Sequence, residues 1–361
     1  MDIKQLLEEL SNVHGAPGFE QQVLEVVHQY TGDLPFVSDH MNNGYLNLTT
    51  MDDSKPTVML DSHLDEVGFM VSYITSAGQI GMQPLGGWVP ASVQSQKFKI
   101  LNNRGEYVSA VSSSKPPHFL TATEKQQALK MEDLKLDVGA TSKEEVIEDF
   151  GIEVGQPVTP DVQFEFNEQN DVMLGKAFDN RLGVGVVLAV FDHLEDELND
   201  LPFNLVGSFA SQEEVGLRGA KITSRRINPQ MAIVVEATPS DDFAKPKEIA
   251  QGQLGSGPQL RYRDSTYIAS PRLNQKIVST AQEEGIALQQ AVRSGGGTNA
   301  GSIYANEFGV EVATLGVPTR YAHTHHLFAS YRDWQATVQL IVAFLRQLKE
   351  EDFTSYHLKK W

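Results

Sequence analysis

Short apolar runs alternate with longer amphipathic stretches along this sequence, and no other feature limits the available folds as strongly. Four short runs rich in aliphatic and aromatic residues are predicted to be buried strands: 57–60, 203–210, 231–235 and 310–315. Three longer stretches with helical periodicity are predicted to be helices: 181–198, 271–284 and 334–348. Strands that alternate with helices predict an α/β fold, with a layered, mostly parallel sheet and helices on both of its faces.

One segment, 68–163, breaks this alternation. It combines short strand-like runs such as 107–111 with turns rich in Gly, Ser and Pro such as 112–117. Because 361 residues exceed the usual size of one hydrophobic core, a second domain is expected. We therefore predict a small β-rich domain at 68–163, inserted between two parts of a larger domain at 1–67 and 164–361.

Charge and composition exclude several classes of function. The chain has 29 Lys and Arg against 47 Asp and Glu, a net charge of -18, and no basic run, so it is unsuited to nucleic acid. No apolar run is long enough to span a membrane, and the charged N-terminal segment does not resemble a secretory signal. Because the chain lacks cysteine, any metal must be held by His nitrogens and carboxylate oxygens, and a cytoplasmic location is expected.

Residues capable of chemistry cluster where the predicted strands end, which is where reactive groups gather in open α/β sheets. His63 and Asp65 follow the strand at 57–60. They are two residues apart in an extended segment and therefore point the same way, so that the carboxylate can orient the imidazole. A polar turn at the end of the strand is the alternative interpretation.

Three more acidic residues lie beside predicted elements. Glu213 and Glu214 follow the strand at 203–210, and because adjacent residues of an extended chain point in different directions, one can bind a metal while the other faces a water molecule. A solvated acidic hairpin is the alternative. Asp179 precedes the helix at 181–198, where it is either a ligand or the N-cap of that helix.

The last candidates follow the third and fourth predicted strands. Glu236 leaves the apolar run at 231–235, and a carboxylate in that position needs a partner. A polar loop further on contains His323, His325 and His326. Together, these nitrogen and oxygen donors suit Zn²⁺, Co²⁺ or Mn²⁺. The sequence contains no GxSxG, HExxH or GxxxxGK[ST] motif that would indicate a different chemistry.

With these residues in view, the sequence resembles the tetrahedral dinuclear-metal aminopeptidases, a family that includes glutamyl and deblocking aminopeptidases and proteins labelled cellulase M. The resemblance covers nearly the whole chain and is carried by segments in the family's order: GAPGFE, DSHLDEVGFMV, PLGGW, SSKPPH, GKAFDNRLG, SQEEVGLRGA, GGGTNAG and RYAHTHH. The combination of QEEVGLRGA with HLDEVGF is highly specific. The glutamyl aminopeptidase branch is the most similar.

The resemblance implies a centre of two divalent metal ions, Zn or Co, with Mn as a further candidate. Asp179 would bridge the two ions. His63 and Glu236 would complete the first site, and Glu214 and His323 would complete the second. Only the resemblance distinguishes this histidine from the two that follow it.

The resemblance also implies the reaction, which is removal of N-terminal residues from short peptides. Glu213 would be the general base that takes a proton from the attacking water and returns it to the leaving amine. Asp65 would orient the ring of His63. A preference for N-terminal Glu or Asp is expected from the branch, with Arg261 paired to the substrate carboxylate. An ordinary surface or strand-edge arginine is the alternative for Arg261.

Finally, the resemblance implies that the inserted domain is a small β-barrel that forms dimers, and that the dimers build a hollow dodecamer. Two residues depart from the family pattern, since Glu236 and Asn299 stand where the family usually has Asp. The first lengthens a ligand by one methylene, and the second removes a negative charge near the site. Two other functions remain open, a glycoside hydrolase with paired carboxylates and a non-catalytic metal-binding scaffold.

Overall fold

The structure is a computed structural model and describes residues 1–307 and 309–356. The helices are α1 (Ile3–Asn12), α2 (Gln21–Gln29), α3 (Pro90–Val93), α4 (Lys143–Glu148), α5 (Phe178–Leu194), α6 (Arg218–Ile227), α7 (Pro271–Glu283), α8 (Ala300–Tyr304) and α9 (Tyr331–Arg346). The strands are β1 (Phe36–Ser38), β2 (Gly44–Leu46), β3 (Thr57–His63), β4 (Gly68–Ile74), β5 (Ile80–Leu85), β6 (Lys97–Leu101), β7 (Tyr107–Ser112), β8 (Lys135–Asp137), β9 (Pro157–Pro160), β10 (Glu165–Asn167), β11 (Val172–Gly175), β12 (Asn204–Ala210), β13 (Met231–Pro239), β14 (Gln259–Arg263), β15 (Gln289–Val292), β16 (Glu311–Arg320) and β17 (Leu327–Ser330).

A large sheet forms the centre of the molecule. Its strands run in the order β1-β2-β12-β3-β13-β16-β17-β11-β10, and β14 pairs with both β15 and β16. The four central strands, β12, β3, β13 and β16, are parallel to their neighbours within this group. Antiparallel pairs extend the sheet on both sides. The carboxyl ends of the central strands therefore meet at one edge, where a ligand site is expected.

Helices cover both faces of this sheet. On β3, Val58 and Leu60 join a core formed with α1, α2, α5, α7 and α9, whereas Met59 joins a second core with α6 and α8 on the opposite face. This alternation follows from the two-residue repeat of a strand. Helix α5 is buried around most of its circumference because it contacts the sheet as well as α1 and α9.

The remaining strands close into a barrel in the order β4-β5-β8-β7-β6-β9. Its interior has an apolar core of its own, which includes Phe69, Phe98 and Ile100. The predicted α/β fold interrupted by a small β-barrel is thus confirmed, while the boundaries at 67/68 and 163/164 remain predictions. No helix among the described residues is both long enough and apolar enough to cross a membrane.

The central strands are longer than their apolar runs. Strand β3 continues to His63, β13 to Pro239 and β16 to Arg320. The sequence predicted that His63 and Glu236 follow their strands. In the structure both residues lie within the strands and are paired with neighbouring strands. Hydrogen bonding to neighbouring strands extends each strand past the point where its side chains become polar.

Candidate metal centre

Polar side chains collect at the edge where the central strands end. Six of them lie close together: His63 at the end of β3, Asp179 at the start of α5, Glu213 and Glu214 after β12, Glu236 on β13, and His323 after β16. The parallel register of β12, β3 and β13 places the ends of these strands side by side. Residues that are far apart in sequence therefore form one site.

His63 is the centre of a first group. Its ring is 1% exposed, and its Nε2 lies 3.3 Å from Asp179 Oδ1 and 3.8 Å from Glu236 Oε2. Its Nδ1 lies 3.0 Å from the backbone carbonyl of Asp65. A carbonyl only accepts, so Nδ1 donates a proton to it, and this hydrogen bond turns Nε2 towards the carboxylates. The polar-turn interpretation of this segment is wrong.

His323 forms the second group. Its Nε2 lies 3.5 Å from Glu214 Oε2 and 3.7 Å from Asp179 Oδ2, and its Nδ1 donates to the carbonyl of Gly87 at 2.9 Å. Asp179 thus directs one carboxylate oxygen towards each histidine. Its side chain makes no capping hydrogen bond to the described part of α5, so the N-cap interpretation does not explain Asp179.

The adjacent acids Glu213 and Glu214 are held by Asp65. Asp65 Oδ1 accepts the N–H of Glu213 at 2.9 Å, and Oδ2 accepts the N–H of Glu214 at 3.0 Å. The two glutamate side chains are 11% and 4% exposed, so the solvated-hairpin interpretation is wrong. Glu214 faces His323, whereas Oε2 of Glu213 lies 3.9 Å from His63 Nε2. The neighbours therefore have different surroundings.

Charge in this site is concentrated and largely removed from water. Burial raises the pKa of Glu213 to about 8, with nearby acidic side chains adding to the effect and His63 opposing it. Burial and repulsion from Asp179 raise the pKa of Glu214 well above its usual range, and burial does the same to Glu236. Burial opposes a charge on His63, but the surrounding carboxylates outweigh it and raise the His63 pKa.

This donor set fits divalent cations. Three overlapping groups each have ligand atoms within 4.8 Å of one another: His63, Asp179 and Glu236; His63, Glu213 and Glu214; Asp179, Glu214 and His323. Among the described residues, the two histidines are the only basic groups at ion-pair distance from these carboxylates. Oε1 of Glu236 is also buried without a hydrogen-bond partner in the described chain. Buried carboxylates need positive charge nearby, and bound cations would supply it. Imidazole nitrogens together with carboxylate oxygens suit Zn²⁺, Co²⁺ or Mn²⁺.

Asn180, which was not among the predicted site residues, connects the start of α5 to β13 beside Glu236. Its Nδ2 donates to the carbonyl of Val235 at 2.8 Å, and its Oδ1 accepts the N–H of Ala237 at 2.9 Å. The Asn180 side chain therefore binds the backbone on both sides of Glu236 and holds this part of β13 against α5. The only local signal was its position next to Asp179, because the contact spans more than fifty residues of sequence.

A buried charged network contacts residues 64–66, the segment that contains Asp65. Nζ of Lys176 donates to Glu66 Oε1 at 2.6 Å, and the guanidinium of Arg181 donates to the carbonyl of Leu64. Both basic side chains are at most 1% exposed. These bonds attach residues 64–66 to the start of α5, so the network positions both Asp65 and the chain that carries Asp179.

A cavity of about 580 Å³ opens onto the centre. Besides the carboxylates and histidines of the centre, its lining includes Arg261, Ser265, Thr266, Arg293, and Gly295 to Thr298. Arg261 is 4% exposed and lies on β14 between two paired strands, so it is neither a surface nor an edge residue. Its Nη1 lies 3.4 Å from Asp264 Oδ2, while its Nε has no partner in the described chain. Acidic and basic side chains therefore both line the cavity.

The other two histidines of the polar loop lie outside the metal-ligand groups. His325 is 2% exposed, and its ring packs against Phe98 and Trp88 with centroid distances of 4.6 and 5.4 Å. His326 is exposed. Of the three histidines, His323 alone faces the carboxylates, and His325 attaches the loop to the barrel.

Comparisons with known proteins agree with this geometry. A family model described as M42 glutamyl aminopeptidase matches residues 43–340. The glutamyl aminopeptidase of Lactococcus lactis subsp. cremoris is 30% identical over 355 residues, which cover 97% of this chain and 98% of that protein. The lysyl aminopeptidase of Pyrococcus furiosus is 31% identical over 307 residues, which cover 83% and 84%.

A solved structure shows the same fold. The crystal structure of a TET aminopeptidase from the marine sediment archaeon Thaumarchaeota archaeon SCGC AB-539-E09 is similar with a TM-score of 0.92 and 31% identity, covering 99% of this chain and 100% of that one. The two enzymes named for glutamyl and lysyl substrates have nearly the same percentage identity to this chain over the residues that match. Overall identity therefore does not indicate which N-terminal residue is preferred.

Proposed function

This chain belongs to the M42 glutamyl aminopeptidase family, and on that premise we propose that it is an aminopeptidase dependent on two divalent metal ions. It would remove single residues from the N-termini of short peptides. The observation that carries the proposal is the position of Asp179, which directs one oxygen to His63 and the other to His323. Further carboxylates flank both histidines.

The ligand groups divide into two sites that share this aspartate. His63 and Glu236 would hold one ion, and Glu214 and His323 would hold the other, with Asp179 between them. The longer side chain at Glu236 is compatible with this role, because one oxygen faces His63 and the other is unpartnered in the described chain. Zn²⁺ and Co²⁺ are the first candidates, and Mn²⁺ is the next.

The bound ions would polarise the scissile carbonyl and lower the pKa of the attacking water. Glu213 would take the proton from that water and give it to the leaving amine. Its side chain is 11% exposed and lies 3.9 Å from His63 Nε2, so it borders the proposed ligands. Asp65 would hold Glu213 in place through the backbone hydrogen bonds at residues 213 and 214.

The shape of the cavity supports small substrates. A volume of about 580 Å³ lies within the range usual for small-molecule sites. Both the carboxylate cluster and the glycine-rich segment that includes Gly295 to Thr298 line the cavity. A short peptide would place its N-terminal residue between them.

We also propose a preference for acidic N-terminal residues, with Arg261 as the recognition residue. Arg261 lines the cavity, is almost fully buried and leaves Nε without a partner in the described chain. A substrate carboxylate would supply the missing acceptor. A kcat/KM for Leu substrates above that for Glu and Asp substrates would exclude the preference. Unchanged Glu turnover in Arg261→Ala would exclude the residue.

The central test is a profile of aminoacyl-p-nitroanilides on metal-stripped protein with Zn²⁺, Co²⁺ or Mn²⁺ added back. We expect no turnover without metal and recovery with at least one ion. A matched assay on a soluble cellulose derivative addresses the glycoside hydrolase alternative, because paired-carboxylate glycosidases need no metal. Metal binding without turnover of any peptide substrate would indicate the non-catalytic scaffold instead.

The proposal extends to assembly and location. The barrel would form dimers that build a dodecamer, and the particle would act in the cytoplasm on short peptides. The exposed apolar side chains of the barrel region support a role in assembly: Tyr73, Val89, Val111, Phe119, Ile147 and Val154.

A further inference from the structure

Asp61 and Asn299 form a buried pair beside the metal centre. Both side chains are fully buried, and Asn299 Nδ2 donates to Asp61 Oδ2 at 2.8 Å. The other oxygen of Asp61 accepts the hydroxyl of Ser208 at 2.6 Å. Asp61 lies on β3 two residues before His63 and therefore on the same face of the sheet. The pair joins this strand to a segment 238 residues away.

Asn299 ends the glycine-rich wall of the cavity. Gly295, Gly296, Gly297 and Thr298 line the cavity, and Asn299 follows them directly. This wall is also attached to the loop at 264–266, since Thr298 Oγ1 donates to Asp264 Oδ2 at 3.2 Å and the N–H of Ser265 donates to the carbonyl of Gly296 at 3.1 Å. The bond to Asp61 attaches the wall directly to the strand that carries His63.

We propose that the Asp61–Asn299 hydrogen bond positions the glycine-rich wall relative to His63 and thereby sets how tightly the substrate's N-terminal residue is held. Both residues are positioning residues, because neither is expected to contact the reacting atoms. The inference rests on the proposed aminopeptidase function for its kinetic consequence. The attachment itself does not depend on catalysis or on bound metal.

The chemistry of the pair allows a reciprocal exchange. The pair needs one carboxylate and one amide, because a carboxylate only accepts and an amide also donates. In Asn299→Asp two carboxylates would face each other in a buried place and repel. In the double variant Asp61→Asn with Asn299→Asp, the amide of residue 61 donates to the carboxylate of residue 299. Its oxygen still accepts from Ser208, so every partner is retained.

The test compares wild type, Asn299→Asp, Asn299→Ala, Asp61→Asn and the double exchange in the metal-loaded protein. We expect Asn299→Ala to raise KM about tenfold, as loss of a hydrogen bond to a charged group predicts, with a smaller change in kcat. Asn299→Asp should raise KM further, and the double exchange should return it to within a few-fold of wild type. Metal content should stay unchanged in all variants.

Asn306→Asp is the matched control. Asn306 lies just beyond the other end of α8, is 6% exposed and donates to the carbonyl of Ser224 at 3.1 Å. This substitution also places a buried acid next to α8, but its hydrogen-bond partner Ser224 lies on α6 and does not line the cavity. It should lower stability without raising KM. If it raises KM as much as Asn299→Asp, the effect is general destabilisation and the proposal is wrong.

Hydrogen exchange at residues 293–299 provides a readout that needs no activity. Exchange should be faster in Asn299→Asp than in wild type and should be restored by the double exchange. Additive effects of Asp61→Asn and Asn299→Asp, or a double variant that does not recover or does not fold, would overturn the proposal. If wild type turns over no peptide, the proposed function fails, and the exchange data still decide whether the pair fixes the wall.

Discussion

Glu213 and Glu214 are identical in chemistry, so the different roles proposed for them depend on their surroundings. Asp65 holds the backbone N–H of both residues, which sends the two side chains in different directions. Glu214 Oε2 lies 3.5 Å from His323 Nε2. Glu213 Oε2 lies 3.9 Å from His63 Nε2, further away than Asp179 Oδ1 at 3.3 Å. A carboxylate bound to a cation stays ionised and accepts protons poorly, so the residue that binds metal cannot also serve as the base.

The first prediction separates these roles by substitution. Glu213→Gln keeps the size of the side chain and removes its basicity, so metal content should be unchanged. The rate should fall by roughly 10²–10⁴, about 3–5 kcal/mol of barrier. Glu214→Gln should instead lose metal and regain part of its activity at high metal concentration. Metal analysis and kcat are measured on the same samples, and loss of metal from Glu213→Gln would falsify the assignment.

The second prediction concerns Asp65. In Asp65→Asn the side-chain oxygen still accepts one backbone N–H, but the new amide group faces the other N–H as a second donor. The segment at Glu213 and Glu214 should therefore shift, with a loss of roughly 10–100-fold in kcat/KM, as is typical for groups that support metal ligands. Asp65→Glu keeps the charge and serves as the comparison. Wild-type kinetics in Asp65→Asn would show that the two hydrogen bonds are dispensable.

At the scale of elements, the sequence predicted the central strands and their order along the chain, but it ended several of them too early. Apolar runs stop at Leu60, Val235 and Leu315, whereas pairing continues β3, β13 and β16 beyond these residues. Strands such as β10, β11 and β17 have only three or four residues, too few to show a periodic pattern.

The same limit applied to the site. Residues at strand ends could be identified from sequence because their strands could be located. The bonds from Asn180 to β13 and from Asn299 to Asp61 could not, since both join distant segments whose proximity depends on the complete fold. Asn and Asp are common in turns and helix caps, so in a sequence they predict local structure and not a contact with a distant segment.

The third prediction concerns the attachment of the His323 loop to the barrel. The ring of His325 packs against Phe98 and Trp88, and Trp88 is adjacent to Gly87, the acceptor for His323. His325→Ala should cost about 2–3 kcal/mol of stability and lower metal occupancy, because the ring's contacts are lost. His325→Phe keeps an aromatic ring and should preserve metal occupancy. Thermal unfolding and metal analysis test both variants, and equal effects from them would contradict this role.

The fourth prediction is a pH dependence from the contact between His14 and the barrel. His14 Nδ1 lies 2.7 Å from Thr159 Oγ1, and the ring packs against Tyr107. Burial, reinforced by Lys176 and Arg181, lowers the His14 pKa to about 2. The unfolded chain therefore binds a proton below pH ~6.5 that the folded chain does not bind, and stability falls as the pH drops. The loss should reach about 1–2 kcal/mol at pH ~5.

His14→Gln isolates this contribution, because glutamine retains a polar contact with Thr159 and does not titrate. The difference between wild type and variant is the relevant measure, since burial raises the Glu20 pKa to about 7 and acts in the opposite direction. For Glu20 the folded chain holds the proton more tightly, so stability declines as the pH rises from about 4.5 to 7. Unfolding midpoints that change in parallel between pH 7 and 5 would exclude His14 as the source.

At the scale of the whole molecule, the barrel stands apart from the main sheet as a closed unit with its own core. The segment that follows β5 supplies the carbonyl of Gly87, which accepts the hydrogen bond of His323 Nδ1. The barrel region therefore contributes to the site. Closure removes the free strand edges through which sheets usually associate. Any association through the barrel must therefore use side chains on its outer surface, where apolar residues such as Val111 and Phe119 are exposed.

The last prediction is that these side chains hold the assembly together. A dodecamer of this 39.9 kDa chain would have a mass of roughly 480 kDa, which light scattering distinguishes from a dimer or monomer. Phe119→Asp places a charge among the exposed apolar residues of the barrel and should shift the mass towards smaller species, because an unpaired charge is costly to bury in an interface. Val37→Asp, on the exposed strand β1, is the control and should leave the mass unchanged.

Since the chain carries a net charge of -18, raising the salt concentration should screen the repulsion between subunits and favour the larger particle. A wild-type protein that remains monomeric at micromolar concentration and high salt would show that the proposed dodecamer does not form. An intact large particle in Phe119→Asp would show that Phe119 does not hold the assembly together.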